Sequence, residues 1–205
     1  MNYIYNEKHR ILNLINIILA AGSSTRMSQN KQLLNYNNKS FVRDIAEKSN
    51  ALNPHKTICV LGPIIDPIKN ELQDLDVDYV INDRHLQGMS SSITSALNTI
   101  PNLNFYDAVL IMLCDQPRIP TEHYHTIIRE ATNIDHLIVS SAYENNFGVP
   151  ALFKRELFSE LLSLNSITGA KSIIVKYRDK TSFIQCDAAA QDIDTDEDYE
   201  KLLEL

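Results

Sequence analysis

Cysteine is scarce in this chain. It has three in 205 residues, Cys59, Cys114 and Cys186, and no C-x-x-C pair. That spacing excludes a zinc ribbon and a thioredoxin-like motif. Cys59 and Cys114 fall inside apolar runs, the setting of reduced core thiols in a cytoplasmic protein. No apolar run approaches the about 20 residues a membrane helix needs. Glu7, Lys8, His9 and Arg10 interrupt the N-terminal stretch, so it is not expected to act as a signal peptide. Lys/Arg runs are also missing, and the formal net charge is -7. Nucleic acid or an anionic membrane held through bulk charge is therefore not expected. An anionic small molecule would need local help from backbone N–H groups, a metal or a few placed cations.

Several motifs are absent as well. G-x-x-x-x-G-K-[ST] and G-x-G-x-x-G do not occur. There is no G-x-S-x-G and no visible Cys–His pairing, which argues against covalent catalysis. The six histidines form no ligand pattern. His123 and His125, at i,i+2 on a helix start, face different ways and are expected at the surface.

What is present is ordinary for a globular chain: 44% hydrophobic and 22% charged residues, enough for one large domain with a real core. Short apolar runs at Ile15–Ala20, Thr57–Leu61, Val77–Ile81, Ala108–Leu113, Leu137–Ala142 and Ser182–Cys186 read as strands. Near-continuous apolar runs suit strands buried on both faces of a parallel sheet. Between them lie helical segments at Phe41–Leu52, Met89–Ile100, Thr121–Thr132, Glu156–Leu164, Ala170–Tyr177 and Asp196–Leu205, the last with Thr195 as its N-cap. This alternation predicts a three-layer, doubly wound, Rossmann-like α/β domain with a mostly parallel sheet. Asn133–His136 and Glu144–Phe147 read as loops. Residues 1–14 read as an N-terminal extension, either a short helix or a tail, ahead of one domain over 15–205.

Ligands bind such sheets beyond the C-terminal ends of the strands. The first strand ends in Leu19-Ala20-Ala21-Gly22-Ser23-Ser24-Thr25-Arg26-Met27, followed by Lys31. Small side chains at Ala20, Ala21, Gly22 and Ser23 let the backbone approach a ligand, and successive N–H groups can coordinate phosphate oxygens. Arg26 offers a bidentate fork and Lys31 a mobile point charge. From residue types alone, an ordinary charged surface turn fits as well.

The fourth run ends in Cys114-Asp115-Gln116-Pro117. A carboxylate there reaches the ligand edge and suits Mg²⁺, or caps a turn before proline. Asp192 and Asp194 precede a helix whose first turn holds Asp196, Glu197 and Asp198, where acidic residues suit the helix dipole. Gly88-Met89-Ser90-Ser91-Ser92-Ile93 opens another helix, whose free N–H groups and hydroxyls can hold an anionic group or simply cap it. Asn82 and Asp83 end the strand nearby. Gly148-Val149-Pro150 reads as a turn leading into a strand.

The run L-A-A-G-S-S-T-R-M, with Lys31-Gln32-Leu33-Leu34 at matching spacing, resembles the signature of the MobA-like nucleotidyltransferases, and within them the molybdenum cofactor cytidylyltransferases. The resemblance extends from about Ile15 to Leu205. It implies Mg²⁺-dependent transfer of CMP from CTP to molybdopterin cofactor with release of pyrophosphate, and a molybdoenzyme that receives the product. Arg26, Lys31 and Asp115 become the catalytic set, with Asp115 and one of Asp192 and Asp194 at the metal or the substrate. Leu19 to Ser24, Asn82, Gly88, Ser90 and Ser92 become nucleotide-binding. Gln116, Gly148, Pro150 and Asp192 fall on the acceptor side.

In this family L-A-A-G accompanies cytidylyl transfer and L-A-G-G guanylyl transfer, so Ala21 points to CTP. The chain departs from the pattern at four places. Ser28 replaces a usual Gly, Asn35 and Asp196 replace usual prolines, and Ser166-Ile167 replaces Gly-Asp before Gly169-Ala170-Lys171. Three rival readings share the sequence: a GTP-using enzyme, a sugar-phosphate nucleotidyltransferase, and a cofactor carrier without turnover.

Overall fold

The structure, a computed structural model, describes residues 12–133, 135–165 and 169–204. Alternation of apolar runs and amphipathic segments produces β1 (Leu14–Ala20), a small hairpin β2 (Asn35–Tyr36) and β3 (Lys39–Ser40), α1 (Phe41–Ala51), β4 (Lys56–Leu61), α2 (Asp66–Leu72), β5 (Asp78–Ile81), α3 (Met89–Asn98), β6 (Ala108–Leu113) and α4 (Thr121–Glu130). There follow β7 (Ile138–Tyr143), β8 (Asn146–Lys154), α5 (Phe158–Leu162), α6 (Ala170–Lys176), β9 (Thr181–Gln185) and α7 (Asp196–Leu203).

Seven strands form one sheet in the order β5-β4-β1-β6-β8-β7-β9. All pairings are parallel except those of β8, which runs antiparallel to both β6 and β7. β1 and β6 are apolar along their length, apart from Asn16, because helices cover both faces. One face packs Phe41, Ile45, Ile68, Leu72, Tyr124, Ile127 and Leu202, from α1, α2, α4 and α7. The other packs Ile93, Leu97, Phe158, Leu161, Ile173 and Ile174, from α3, α5 and α6. This is the expected three-layer α/β architecture. Among the described residues, no helix is long and apolar enough to cross a membrane.

Local chemistry sets several element ends. The Thr195 hydroxyl accepts from the Asp198 N–H while the Asp198 carboxylate accepts from the Thr195 N–H, a reciprocal cap that starts α7 as expected. Ser40 caps α1. Helix α2 was not read from the sequence; Pro67 sits in its first turn, where a missing N–H costs nothing.

Other differences are local. Leu14 already belongs to β1, and residues 1–11 of the expected extension lie outside the described residues. Ile134, in the expected loop at Asn133–His136, also lies outside them, as do Ser166, Ile167 and Leu205. The expected loop at Glu144–Phe147 is only a turn, since Asn146 and Phe147 pair in β8 with Tyr143 and Ala142. The expected helix at Glu156–Leu164 splits into a 3₁₀ turn (Arg155–Leu157) and α5.

His123 is buried, not at the surface. It shares the inner side of α4 with Tyr124, and its Nε2 lies 2.7 Å from Ser141 Oγ. That hydroxyl donates its proton to the Pro150 carbonyl, so His123 Nε2 is the donor.

Candidate active site

The C-terminal ends of β1 and β6 and the start of α3 surround a cleft of about 430 Å³. Leu19, Ala20, Ala21, Gly22, Ser23, Lys31, Gly88, Ser92, Asp115, Asp192 and Asp194 all line it. Residues that are far apart in the chain thus meet because parallel strands release their loops at one edge.

The loop after β1 is built around Gln32. This buried side chain donates to the carbonyls of Ala20, at 3.1 Å, and Gly22, at 2.5 Å. Ser24 takes a left-handed conformation at φ 49° and accepts the Lys31 N–H at 3.0 Å. With the loop's carbonyls turned toward Gln32, no described residue accepts from the N–H of Gly22 or Ser23. Gly62, just after β4, supports the loop from below. A Cβ there would stand 2.4 Å from the Ala21 carbonyl oxygen, so only glycine permits this approach.

Lys31 reaches across the cleft to two carboxylates. Its Nζ contacts Asp115 Oδ2 and lies 3.0 Å from Asp194 Oδ1. The Lys31 and Asp115 side chains are only 14% and 17% exposed. Burial opposes the lysine charge, yet the two carboxylates outweigh it and raise the Lys31 pKa well above its ordinary value. Asp194 is likewise penalised by burial, but Lys31 and Arg26 hold its carboxyl below the usual range. Arg26 Nη2 sits 2.7 Å from Asp194 Oδ2, with the guanidinium largely in solvent. Burial and the charge of Asp115 push Asp192 the other way, upward.

The start of α3 closes the third side. Gly88 adopts φ 91°, ψ -179°, a conformation essentially confined to glycine. Asn82 is buried and donates to the hydroxyls of Ser91, at 2.8 Å, and Ser92, at 3.0 Å. It braces the helix start from behind rather than lining the cleft. Ser90 is buried beside it and also lies outside the lining. No acidic residue occupies the first turn of α3, so its dipole is left for an anion.

The remaining expected residues stand apart from the cleft lining. Gln116 is buried and donates to Asp192 Oδ1 at 2.8 Å and to the Ala189 carbonyl at 3.0 Å, which orders the segment carrying Asp192. Gly148 and Pro150 lie in β8, where Ser140 and Ser141 donate to their carbonyls. Arg26 and Ser24 flank the cleft without lining it.

The profile of the family described as "MobA-like NTP transferase domain" matches residues 16–181. The chain belongs to this family. A MobA-like NTP transferase domain accounts for the loops gathered at one sheet edge, and the chain is a nucleotidyltransferase of that family. It is 28% identical over 172 residues to the bifunctional protein GlmU of Francisella philomiragia, covering 83% of this chain and 34% of that protein. The chain thus spans about a third of the length of the curated relatives it matches.

Among solved structures it is similar to Rv0371c of Mycobacterium tuberculosis, with TM-score 0.79, 25% identity, and coverage of 94% and 99% of the two chains. A second structure of that protein is a complex with manganese, with TM-score 0.75 at 25% identity and coverage of 94% and 98%. The molybdopterin-guanine dinucleotide biosynthesis protein A of Archaeoglobus fulgidus shares the fold, with TM-score 0.67 at 13% identity and coverage of 93% and 97%.

Four contributors to the site carry no signal in the sequence. Gln32 follows Lys31 in the family signature as an uncharged side chain, and only the fold turns its amide onto the loop. Gly62 follows the Thr57–Leu61 run, and its approach to Ala21 comes from the pairing of β4 with β1. His85 and Leu86 line the cleft from a 3₁₀ turn without a sequence signature.

Proposed function

We propose that residues 15–205 form a single nucleotidyltransferase domain that transfers CMP from CTP to molybdopterin cofactor and releases pyrophosphate. The observation that carries the transfer reading is Lys31 joined to Asp115 and Asp194 beside a loop with unused N–H groups. The choice of CTP and of acceptor is supported by the resemblance of the L-A-A-G-S-S-T-R-M run. That resemblance also supports a molybdoenzyme as recipient of the product.

In this reaction an acceptor phosphate oxygen bonds to the α-phosphorus of CTP. The bond from that phosphorus to the bridging oxygen breaks, and its electron pair leaves with pyrophosphate. An ionised acceptor needs no general base. Two polyanions repel, so the protein's contribution is placement and charge neutralisation. The N–H groups of Gly22 and Ser23 cradle the triphosphate, and the start of α3 meets the nucleoside end through Gly88 and Ser92. Lys31 exchanges a carboxylate for the α-phosphate. Arg26 leaves Asp194 to hold the departing phosphates. Gln116 positions Asp192 on the acceptor side, toward Gly148 and Pro150 of β8.

Asp115 fits a divalent cation. Its Oδ1 is buried and has no hydrogen-bond partner among the described residues, while Oδ2 takes Lys31. The described residues hold no ready group of three metal-ligating side chains, and Mg²⁺ needs none, since one or two carboxylates with phosphate oxygens and water suffice. Asp115, with Asp194 once Lys31 and Arg26 turn to phosphate, would hold Mg²⁺. The ion supplies charge neutralisation at the phosphates.

Pyrophosphate release tests this with Mg²⁺, each of CTP, GTP, ATP and UTP, and molybdopterin cofactor or a panel of sugar phosphates. Release that requires CTP and the cofactor establishes the reading. Release only with GTP or a sugar phosphate reassigns the substrates. Cofactor binding without any release makes the chain a carrier.

A further inference from the structure

Two cations outside the cleft stand on aromatic rings, with no acid to answer them among the described residues. Lys171 Nζ lies 5.3 Å from the centre of the Phe147 ring, and the Arg178 guanidinium carbon lies 5.3 Å from the same centre. Arg178 also lies 5.4 Å from the centre of Phe183, which meets Phe147 edge to face at 5.2 Å. Both cations are exposed, and neither forms an ion pair among the described residues. Lys171 is steadied instead by the Asn146 side-chain oxygen. Most other cations mapped on this surface are spent on carboxylates, as Arg43 is on Asp74 and Glu47 and Lys176 is on Glu160. A ring face holds a cation in place while leaving its N–H donors for another partner.

Topology puts this pair at the reactive edge. The β6–β8 register runs from Ala108–Lys154 to Ile111–Ala151, so residues before Ala151 advance toward the edge where β6 releases Asp115. Phe147 is among them. Phe183 lies in β9, paired through β7, and Lys171 opens α6 on the face that also carries α3. The N–H groups that suit the donor triphosphate lie in the loop after β1, on the far side of β6. An incoming nucleophile must approach the α-phosphorus from the side away from the leaving group, which leaves the β8–β7–β9 side open to it.

We propose that Lys171 and Arg178, carried by Phe147 and Phe183, form an anion shelf that takes a phosphate group of the acceptor. This rests on the transferase reading above and adds the two residues that hold the acceptor's phosphate. The shelf takes the non-reacting oxygens of that phosphate, while its remaining oxygen bonds to the α-phosphorus as pyrophosphate leaves.

The first test does not depend on turnover. The full chain, with CTP and Mg²⁺ filling the donor site, is titrated with inorganic phosphate and followed residue by residue in amide NMR spectra. Shifts centred on Phe147, Lys171 and Arg178, lost in a Lys171→Gln/Arg178→Gln variant that keeps the remaining spectrum, support the shelf. Phosphate shifts elsewhere only, or unchanged in the variant, overturn it.

The second test is kinetic, with molybdopterin cofactor as acceptor. The double variant raises the acceptor KM about ten- to a hundredfold, the loss expected for charge-assisted hydrogen bonds. The KM for CTP stays fixed, and Arg178→Lys recovers part of the loss. An unchanged acceptor KM, or an equal rise for CTP, overturns the shelf. A wild-type chain that releases no pyrophosphate refutes the cofactor reading, and the phosphate titration then decides the shelf alone.

Discussion

The backbone N–H and the hydroxyl of Ser28 both donate to the carboxylate of Asp196, at 3.2 Å. These are two of the positions where the chain departs from the family pattern, Ser for Gly and Asp for Pro, and the fold brings them together. The contact clips the loop after β1 to the start of α7, so the loop bearing Arg26 is tied to the segment bearing Asp194. The pair is exposed, so its coupling should be about 0.2–1 kcal/mol. A double-mutant cycle of Ser28→Gly and Asp196→Ala, read by urea denaturation, checks this. Additive single effects would make the two departures independent.

Lys31→Met should lower kcat/KM about 100- to 1000-fold, the usual loss for one preorganised group facing transition-state charge. It removes the cation shared by Asp115 and Asp194. Steady-state kinetics beside a thermal melt separates chemistry from unfolding. A variant with wild-type kcat would remove Lys31 from the reaction.

Gln32→Leu leaves the carbonyls of Ala20 and Gly22 without the amide that now pairs them. The unpaired buried acceptor at Ala20 costs about 1–3 kcal/mol unless the loop opens to water, and the more exposed one at Gly22 costs less. The expected outcome is a lower melting temperature together with a raised KM for the nucleotide. Isothermal titration with a non-hydrolysable nucleotide reads the second effect directly, and unchanged affinity would mean that the loop keeps its shape without Gln32.

Gly88→Ala forces a side chain into φ 91°. The strain is about 1–3 kcal/mol and falls on the first turn of α3. Open space surrounds the position, so a steric clash cannot be the cause of any loss. Denaturant unfolding should show reduced stability with an unchanged m-value.

His123 carries a pH signature. Burial lowers its pKa below the ordinary 6.5. Well above pH 6.5 both folded and unfolded states hold it uncharged, so it contributes no pH slope there. As pH falls below 6.5, the unfolded chain takes up the proton first and stability declines until the folded pKa is passed. His123→Gln should lack this part of the acid sensitivity. Melting temperatures of both proteins from pH 7 downward provide the comparison, and parallel curves would contradict it.

Strand and helix positions were legible because burial on both faces leaves uninterrupted apolar runs, as at Ala108–Leu113, which is β6 to the residue. Asp66–Leu72 escaped because Asp, Pro, Lys, Asn and Glu dominate it, and only Ile68 and Leu72 mark its buried side. His123 escaped for a related reason, since nothing in its own segment announces that Ser141 waits across the sheet with a hydroxyl.

The site was legible where its residues are contiguous, in the loop from Leu19 to Lys31. It was opaque where contacts cross strands. Gly62 beneath Ala21 and Asp194 beside Lys31 are separated widely in the chain and adjacent only in the folded sheet.

The reversed strand β8 divides the sheet into two working halves. β1 carries the loop proposed for the nucleotide, with Gly62 after β4 against it, while the β7–β8 turn presents its own residues at the same edge. A hairpin turn can lengthen, shorten or change composition without altering the ladders on the other side of β6. On the proposed reading, a lineage could exchange the molecule being modified by rebuilding one hairpin and keep the energy source it already burns.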